Sequence, residues 1–338
     1  MAQSLAKCKS LAFVPDLVYS KCKSFAFMKI AFVGKGGSGK TTTSTLFCRY
    51  LQQNNCPVLA IEADINQHMK GSLGLPLIEV LSLGTYLPEI KEYLRGSNPR
   101  IESASEMIKT SPPGAGSNLL RLKETNPLFE KFSISAGSLR FMAVGEFSEE
   151  DLGVKCYHSK VGAVELLLNH MLDREDEYVV VDMTAGADTF ASGMFTKFDI
   201  TFVVVEPTLK SVSVFEQYKK FAKDYDVKVV AIGNKISDNS DLQFLQNKLG
   251  EDLLVYFGQS DFVKNSERGE VISINFLEEQ NIQALKKLIQ IVGESKKDWT
   301  KFYRQTVEFH IKNSESWGNV SIGKDLRKQV DPDFVLRD

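Results

Sequence analysis

A glycine-rich segment directly after an apolar stretch carries the clearest chemistry in the chain. Residues 29–33 are mostly apolar, and Gly34-x4-Gly39-Lys40-Thr41 then matches the phosphate-loop pattern, with helix-compatible sequence behind it. Residues without side chains let backbone N–H groups approach phosphate oxygens, and a helix N-terminus adds partial positive charge. In such a loop Lys40 would pair with the outer phosphates and Thr41 would ligate Mg²⁺; a glycine-rich turn without function is the alternative. The candidate phosphate-binding residues are Gly34, Gly36, Gly37, Ser38, Gly39, Lys40, Thr41 and Thr42.

A carboxylate at the end of a later apolar run extends this candidate site. Asp182 closes the run 178–181, and phosphate-loop proteins use a carboxylate at a strand end to hold Mg²⁺, usually through water. Residues 183–188 then form a candidate switch loop, in which Gly186 is free to move against a terminal phosphate. The alternative for Asp182 is a plain helix cap.

Asn234 and Lys235 are candidate contacts for the base of a nucleotide. They follow the apolar run 229–233. The asparagine amide offers both the donor and the acceptor that adenine requires at N7 and the exocyclic amine. The dipeptide by itself is a weak signal, but its place after a late strand is at the sheet edge where such folds bind ligands.

The elements that must position these residues read as alternating strands and helices. A strand, the glycine-rich loop, a helix and a second strand form one unit, for which a parallel sheet with a right-handed crossover is the default. The predicted fold class is therefore α/β: a single P-loop NTPase domain with a mostly parallel central sheet flanked by helices. The expected strands are 29–33, 58–61, 139–144, 178–181, 200–205 and 227–233, and the expected later helices are 160–172, 282–292 and 299–311.

The chain divides into three parts by composition. Residues 1–27 are basic, contain an imperfect duplication of Lys-Cys-Lys-Ser, and are expected to be an extension outside the fold that ATP binding does not need. Residues 28–292 form the expected ATPase domain, with an irregular insertion at about 75–138. Residues 293–338 are expected to be a C-terminal helix followed by a loosely ordered polar tail.

Composition restricts the partners and the compartment. The 41 Lys and Arg residues nearly balance the 43 Asp and Glu residues, so no global positive field favours DNA. No apolar run approaches the roughly 18 residues that a membrane helix needs. The five scattered cysteines are typical of reduced thiols in a cytoplasmic protein.

The segment Lys35-Gly36-Gly37-Ser38-Gly39-Lys40-Thr41-Thr42 resembles the deviant Walker A motif of the MinD, ParA, nitrogenase iron protein and CooC group of ATPases. In that family the residue matching Lys35 reaches the partner's nucleotide across a dimer interface, so the resemblance implies an ATP-dependent homodimer. It also implies that Asp64, after the run 58–63, positions or activates the attacking water, with Glu62 as a helper for Mg²⁺. From the residues alone, Lys35 is equally a solvated loop lysine and Asp64 a cap.

The later motifs are similar to those of the CooC-like ATPases, which act in maturation of carbon monoxide dehydrogenase. These motifs are Val179-Val180-Val181-Asp182-Met183-Thr184-Ala185-Gly186-Ala187, Val203-Val204-Val205-Glu206-Pro207-Thr208 and Gly233-Asn234-Lys235. That branch carries a metal-binding Cys-x-Cys pair, where this chain has Cys156 and His158. The resemblance implies an intersubunit zinc or nickel site with two ligands from each copy. The alternative is a buried cysteine beside a surface histidine.

Three functions remain open at this stage. The first is an ATPase, with ATP and Mg²⁺ as cofactors, that serves an unidentified client protein in metal-centre maturation. The second is a ParA-like or MinD-like positioning protein, although DNA binding is not favoured and the C-terminal residues are poor material for a membrane anchor. The third is a regulatory nucleotide-binding module without useful turnover.

Overall fold

Most of the chain is described by the computed structural model, which covers residues 28–76, 78–146, 157–174 and 176–337, apart from the side chains of 157–159, 187 and 188. The predicted extension 1–27 lies outside these residues. The strands are β1 (Met28–Gly34), β2 (Val58–Ala63), β3 (Leu120–Arg121), β4 (Ile134–Ala136), β5 (Leu139–Ala143), β6 (Met171–Leu172), β7 (Tyr178–Met183), β8 (Ile200–Val205), β9 (Lys228–Ile236) and β10 (Leu253–Gly258).

Helices connect these strands and cover both faces of the sheet. Within the described residues they are α1 (Lys40–Gln53), α2 (Met69–Ser72), α3 (Leu87–Arg95), α4 (Pro127–Phe132), α5 (Tyr157–Asn169), α6 (Ala187–Ser192), α7 (Leu209–Ala222), α8 (Asn239–Leu249), α9 (Asp261–Glu267), α10 (Glu279–Gly293), α11 (Trp299–Asn313) and α12 (Asn319–Ile322).

An eight-stranded sheet organises the chain, in the order β10-β9-β8-β1-β7-β2-β5-β4. Neighbouring strands in this sheet are parallel, except that β4 runs antiparallel to β5 at one edge. Strands β1, β2, β7 and β8 are buried along their whole length, because a hydrophobic cluster packs on each face. The predicted α/β fold with a mostly parallel sheet is confirmed.

Several elements differ from the sequence-based expectation, among them β10 and α5. Strand β10 was not predicted, because its half-buried alternation is weaker than the continuous apolar runs of the central strands. The helix expected over 160–172 begins earlier and ends at Asn169. Met171 and Leu172 instead pair with Leu120 and Arg121 in a small second sheet, which is a long-range pairing that helical spacing cannot reveal.

The C-terminal segment packs against the insertion, in contrast to the expected loosely ordered tail. Buried His310 contacts the Thr110 hydroxyl at 3.3 Å and the Leu326 carbonyl at 2.9 Å. Gln329 accepts from Ser111 at 2.8 Å, and Asp331 accepts from the Ala115 amide at 3.0 Å. The polar residues of this segment are therefore satisfied by hydrogen bonds across a tertiary contact, which composition does not disclose.

A buried charge cluster lies at the opposite end of β1 from the glycine-rich loop. The Lys29 ammonium pairs with Asp173, and Lys297 lies 3.0 Å from Asp173 and 2.7 Å from Asp199. Burial lowers the pKa of Lys29 to about 8, against the opposing effect of Asp173. Burial by itself would raise the pKa of Asp173, but the two lysines lower it. The four charges thus compensate one another inside the fold.

Cys48 is a buried free thiol, in agreement with the expectation of reduced cysteines at that position. In the part of the chain that the structure describes, no helix is long and apolar enough to cross a membrane.

Candidate nucleotide-binding site

The sheet order brings the candidate residues to one edge. Strand β1 lies between β7 and β8, with β2 next to β7 and β9 next to β8. All five strands are parallel, so their carboxyl ends meet at the same edge, where open α/β sheets bind ligands. The glycine-rich loop, Asp64 and Glu206 directly follow β1, β2 and β8, and Asp182 and Asn234 lie near the carboxyl ends of β7 and β9.

The backbone of the phosphate loop (residues 34–42) requires glycine at two positions. Gly39 has a φ of +90°, and a Cβ there would lie 2.1 Å from the Asn234 side-chain nitrogen. A Cβ on Gly34 would lie 2.7 Å from the Val204 carbonyl oxygen of β8. The exposed Gly36 and Gly37 face open space instead. The loop thus packs closely on its strand side and leaves room for a ligand on the other.

Lys40 of the phosphate loop forms a buried ion pair with Asp64, the residue that follows β2. The Lys40 Nζ lies 2.7 Å from Asp64 Oδ2, and both side chains are almost inaccessible. The other carboxylate oxygen of Asp64 accepts from the Asn66 amide at 3.1 Å. Asp64 therefore organises the turn that follows it, as the alternative interpretation expects, and also holds the charge of the loop lysine.

Asp182 is a fully buried carboxylate, and neither of its oxygens has a hydrogen-bond partner within the described residues. Burial raises its pKa to about 7, although the Thr41 hydroxyl and the Lys40 charge act in the opposite direction. Two orphaned carboxylate oxygens beside a hydroxyl are the oxygen-only donor set that a hard cation prefers. The residues present therefore fit Mg²⁺ next to the phosphate loop.

Glu62 contacts a helix terminus in this structure. Its Oε1 accepts from the Met69 amide at 2.5 Å, and the His68 and Lys70 amides also act on it. It thereby satisfies free N–H groups at the start of α2. Burial raises its pKa to about 7, and the charge of Asp182 acts in the same direction. The observed contacts of Glu62 are those of a cap, and the help with Mg²⁺ that the resemblance implies stays a prediction.

Asn234 and Lys235 reach the phosphate loop from the end of β9. The Asn234 side-chain amide donates to the Ser38 carbonyl at 2.8 Å, and the Lys235 ammonium donates to the Gly37 carbonyl at 2.6 Å. The structure therefore brings these two residues to the loop itself. Contact with adenine stays a prediction.

Lys35 lies at the mouth of the loop and is 38% exposed. Its ammonium is 3.7 Å from Glu206 Oε2, and Lys235 donates to Glu206 Oε1 at 2.8 Å. The sequence predicted Glu206 only as part of a family motif, without a role in the site. A signal was present, because a carboxylate directly after an entirely apolar strand stands at the ligand-binding edge of the sheet.

The side chains of the predicted metal ligands, Cys156 and His158, lie outside what the structure describes. Cys156 lies outside the described residues; His158 is placed in the first turn of α5, without a described side chain. Among the described residues, no three His, Cys, Asp or Glu side chains are grouped to hold a metal ion. His68 is exposed, whereas burial lowers the pKa of His170 and of His310 to about 4.

Known proteins are similar to this chain in sequence and in fold. Residues 30–314 match the model of the CobQ/CobB/MinD/ParA nucleotide binding domain. The chain is 28% identical over 229 residues to the carbon monoxide dehydrogenase accessory protein CooC of Rhodospirillum rubrum, an alignment that covers 67% of this chain and 82% of that protein. It is also 28% identical to an ATP-binding protein of Methanocaldococcus jannaschii, over 74% of this chain and 89% of that protein.

A solved structure supports the fold independently of sequence. The septum site-determining protein MinD of Pyrococcus horikoshii, complexed with Mg-ADP, superimposes with a TM-score of 0.51 and 14% identity. The match covers 79% of this chain and 96% of that one. The predicted resemblance is confirmed, and the chain belongs to the CobQ/CobB/MinD/ParA nucleotide-binding family, as an ATP-binding P-loop NTPase of the MinD, ParA and CooC type.

Proposed function

We propose that the chain is a switch ATPase that binds and hydrolyses Mg-ATP, closes as a homodimer around the nucleotide, and acts on a client protein in metal-centre maturation. The observation that carries the ATPase part is the convergence of the phosphate loop with Asp64 and with the orphaned carboxylate of Asp182. The family membership supports the same activity. The role in maturation rests on the similarity to CooC.

Each polar residue of the site has a proposed task. Lys40 would leave Asp64 and neutralise the outer phosphates, which frees the Asp64 carboxylate to orient the attacking water. Thr41 and Asp182 would hold Mg²⁺, and the ion when bound neutralises charge on the phosphate oxygens. Such catalysis consists mainly of positioning and electrostatic stabilisation.

The switch loop 183–188 would respond to the terminal phosphate through Gly186. A cavity of about 160 Å³ lies beside it, lined in part by Met183, Thr184, Gly186 and Glu165, and gives the loop space to move. Lys35 would reach the nucleotide of the second copy. The proposed intersubunit zinc or nickel site would use Cys156 and His158 of both copies.

Single-turnover hydrolysis and sedimentation velocity test the core of this proposal. Wild type with Mg-ATP is expected to dimerise and to hydrolyse. Asp64→Asn is expected to dimerise without hydrolysis, and Lys35→Ala to bind nucleotide without dimerising. A wild-type protein that remains monomeric with Mg-ATP would contradict the dimeric switch, and equal turnover in wild type and Asp64→Asn would contradict the role of Asp64.

Metal content and affinity capture test the biological role. Wild-type dimer should contain zinc or nickel that Cys156→Ala lacks, and Asp64→Asn held with ATP should retain the client protein. A metal-free wild-type dimer whose client activity is unchanged by Cys156→Ala would end the metal-maturation proposal. Retention of DNA on filters with ATP at low salt would instead favour a ParA-like role.

A further inference from the structure

Glu206 is the point at which three segments of the site meet. Its carboxylate follows β8, and its Oε1 accepts from Lys235 Nζ of β9 at 2.8 Å. Its Oε2 lies 3.7 Å from Lys35 Nζ of the phosphate loop. The Glu206 side chain is 17% exposed, so this carboxylate is only partly screened by water.

The contact with Lys235 is held in place from two sides. Lys235 has a φ of +59°, in the left-handed region that non-glycine residues rarely adopt. Its ammonium also donates to the Gly37 carbonyl at 2.6 Å. A strained backbone conformation persists only where its surroundings determine it. Glu206, Lys235 and Gly37 therefore form a fixed chain of contacts that ends in the phosphate loop.

The contact with Lys35 has a different character. Lys35 is 38% exposed and its ammonium is farther from the carboxylate than that of Lys235. Two ammonium groups share one carboxylate, so the longer pair is the weaker one and can be released without breaking the fixed chain. In the nucleotide-free protomer, the lysine that would act on a second copy is thus held by its own chain.

We propose that Glu206 is a positioning residue that retains Lys35 in its own protomer and thereby sets the nucleotide threshold for dimer closure. This inference rests on the proposed function, because it concerns the Lys35-dependent dimer. Exposed ion pairs of this kind typically contribute about 0.2 to 1 kcal/mol. Two such pairs must open for each dimer, so their loss corresponds to about a 2-fold to 30-fold tightening of dimerisation.

The first test measures the pair without nucleotide. Acetic anhydride labelling followed by mass spectrometry reports how accessible and reactive the Lys35 amine is. Glu206→Gln, which keeps the side-chain size, should raise the labelling rate of Lys35 by about 1.4-fold to 5-fold, as expected from the loss of one exposed pair. The exposed Lys210 serves as the internal reference, and Glu216→Gln on the exposed face of α7 is the matched control. An unchanged Lys35 rate overturns the proposal.

The second test measures the Mg-ATP concentration at half-maximal dimerisation in wild type, Glu206→Gln and the control Glu216→Gln. Glu206→Gln should tighten the dimer by about 2-fold to 30-fold, and Glu216→Gln should leave it unchanged. No effect of Glu206→Gln, or an equal effect of both substitutions, overturns the proposal. A wild type that does not dimerise with Mg-ATP refutes the proposed function. The nucleotide threshold for dimer closure then falls with it, even if the labelling of Lys35 responds to Glu206→Gln.

Discussion

Replacing Asp182 by asparagine removes a buried charge and keeps an oxygen that can face the Thr41 hydroxyl, whose interaction with the carboxylate lowers the pKa of Asp182. Without Mg²⁺, the ionised form is unfavourable in the folded protein, since burial raises the pKa of Asp182 from 3.8 to about 7. We therefore expect Asp182→Asn to stabilise the nucleotide-free protein while it weakens the response to Mg-ATP.

The magnitude and the pH range follow from that pKa. A shift of about 3 units corresponds to about 4 kcal/mol, at 1.36 kcal/mol per unit. Because the pKa in the folded state is raised, the unfolded chain loses its proton first as pH increases. The stability of wild type relative to the variant therefore falls between about pH 4 and pH 7, and the difference is constant above pH 7.

Urea unfolding at several pH values measures this difference. The variant should be more stable than wild type by about 4 kcal/mol at pH 8, with the difference decreasing towards pH 4. Saturating Mg-ATP at about 100 times its Kd should stabilise wild type by about 2.7 kcal/mol and the variant by much less. The exposed Asp224 provides the control, since Asp224→Asn should change neither quantity. A variant that is less stable than wild type at pH 8, or a pH-independent difference, would refute the reasoning.

Three other substitutions test the loop and the tertiary contacts. Gly39→Ala should lower ATP affinity about 10-fold or more in calorimetry, because about 1.4 kcal/mol of strain corresponds to a 10-fold loss of affinity. Gly250→Ala, which is also at positive φ but faces open space, should leave the affinity unchanged. Equal affinities of the two variants would contradict the proposed packing of the loop. Burial lowers the pKa of His310 to about 4, so acidification from pH 6.5 to pH 4 protonates the unfolded state first. Over that range urea unfolding should show wild type losing about 3 kcal/mol relative to His310→Gln, and parallel pH profiles would exclude this. Asp173→Asn leaves two buried lysines without full compensation and should cost about 3 to 5 kcal/mol of unfolding free energy; a loss under about 1 kcal/mol would show that the cluster is not energetically coupled.

The sequence determined the fold class and the position of the loop because both depend on local patterns. Continuous apolar runs produced β1, β2, β7 and β8, since strands buried on both faces leave no alternation. The glycines at 34 and 39 likewise mark a backbone that no other residue fits without displacing a neighbour. Strand β10 and the pairing of β6 with β3 escaped prediction, because a half-buried edge strand and a two-residue pairing carry little periodicity.

Only the tertiary structure decided which charges face each other. The order of strands in the sheet determines that Lys40 faces Asp64 and that Lys35 faces Glu206. It also places the carboxylate of Asp182 in a fully buried position without an ion-pair partner among the described residues. Strand order is a long-range property, because residues more than a hundred positions apart become neighbours only when parallel strands align. Types and spacing of residues thus indicate a nucleotide site, whereas burial and pairing in three dimensions set the charge state of each group within it.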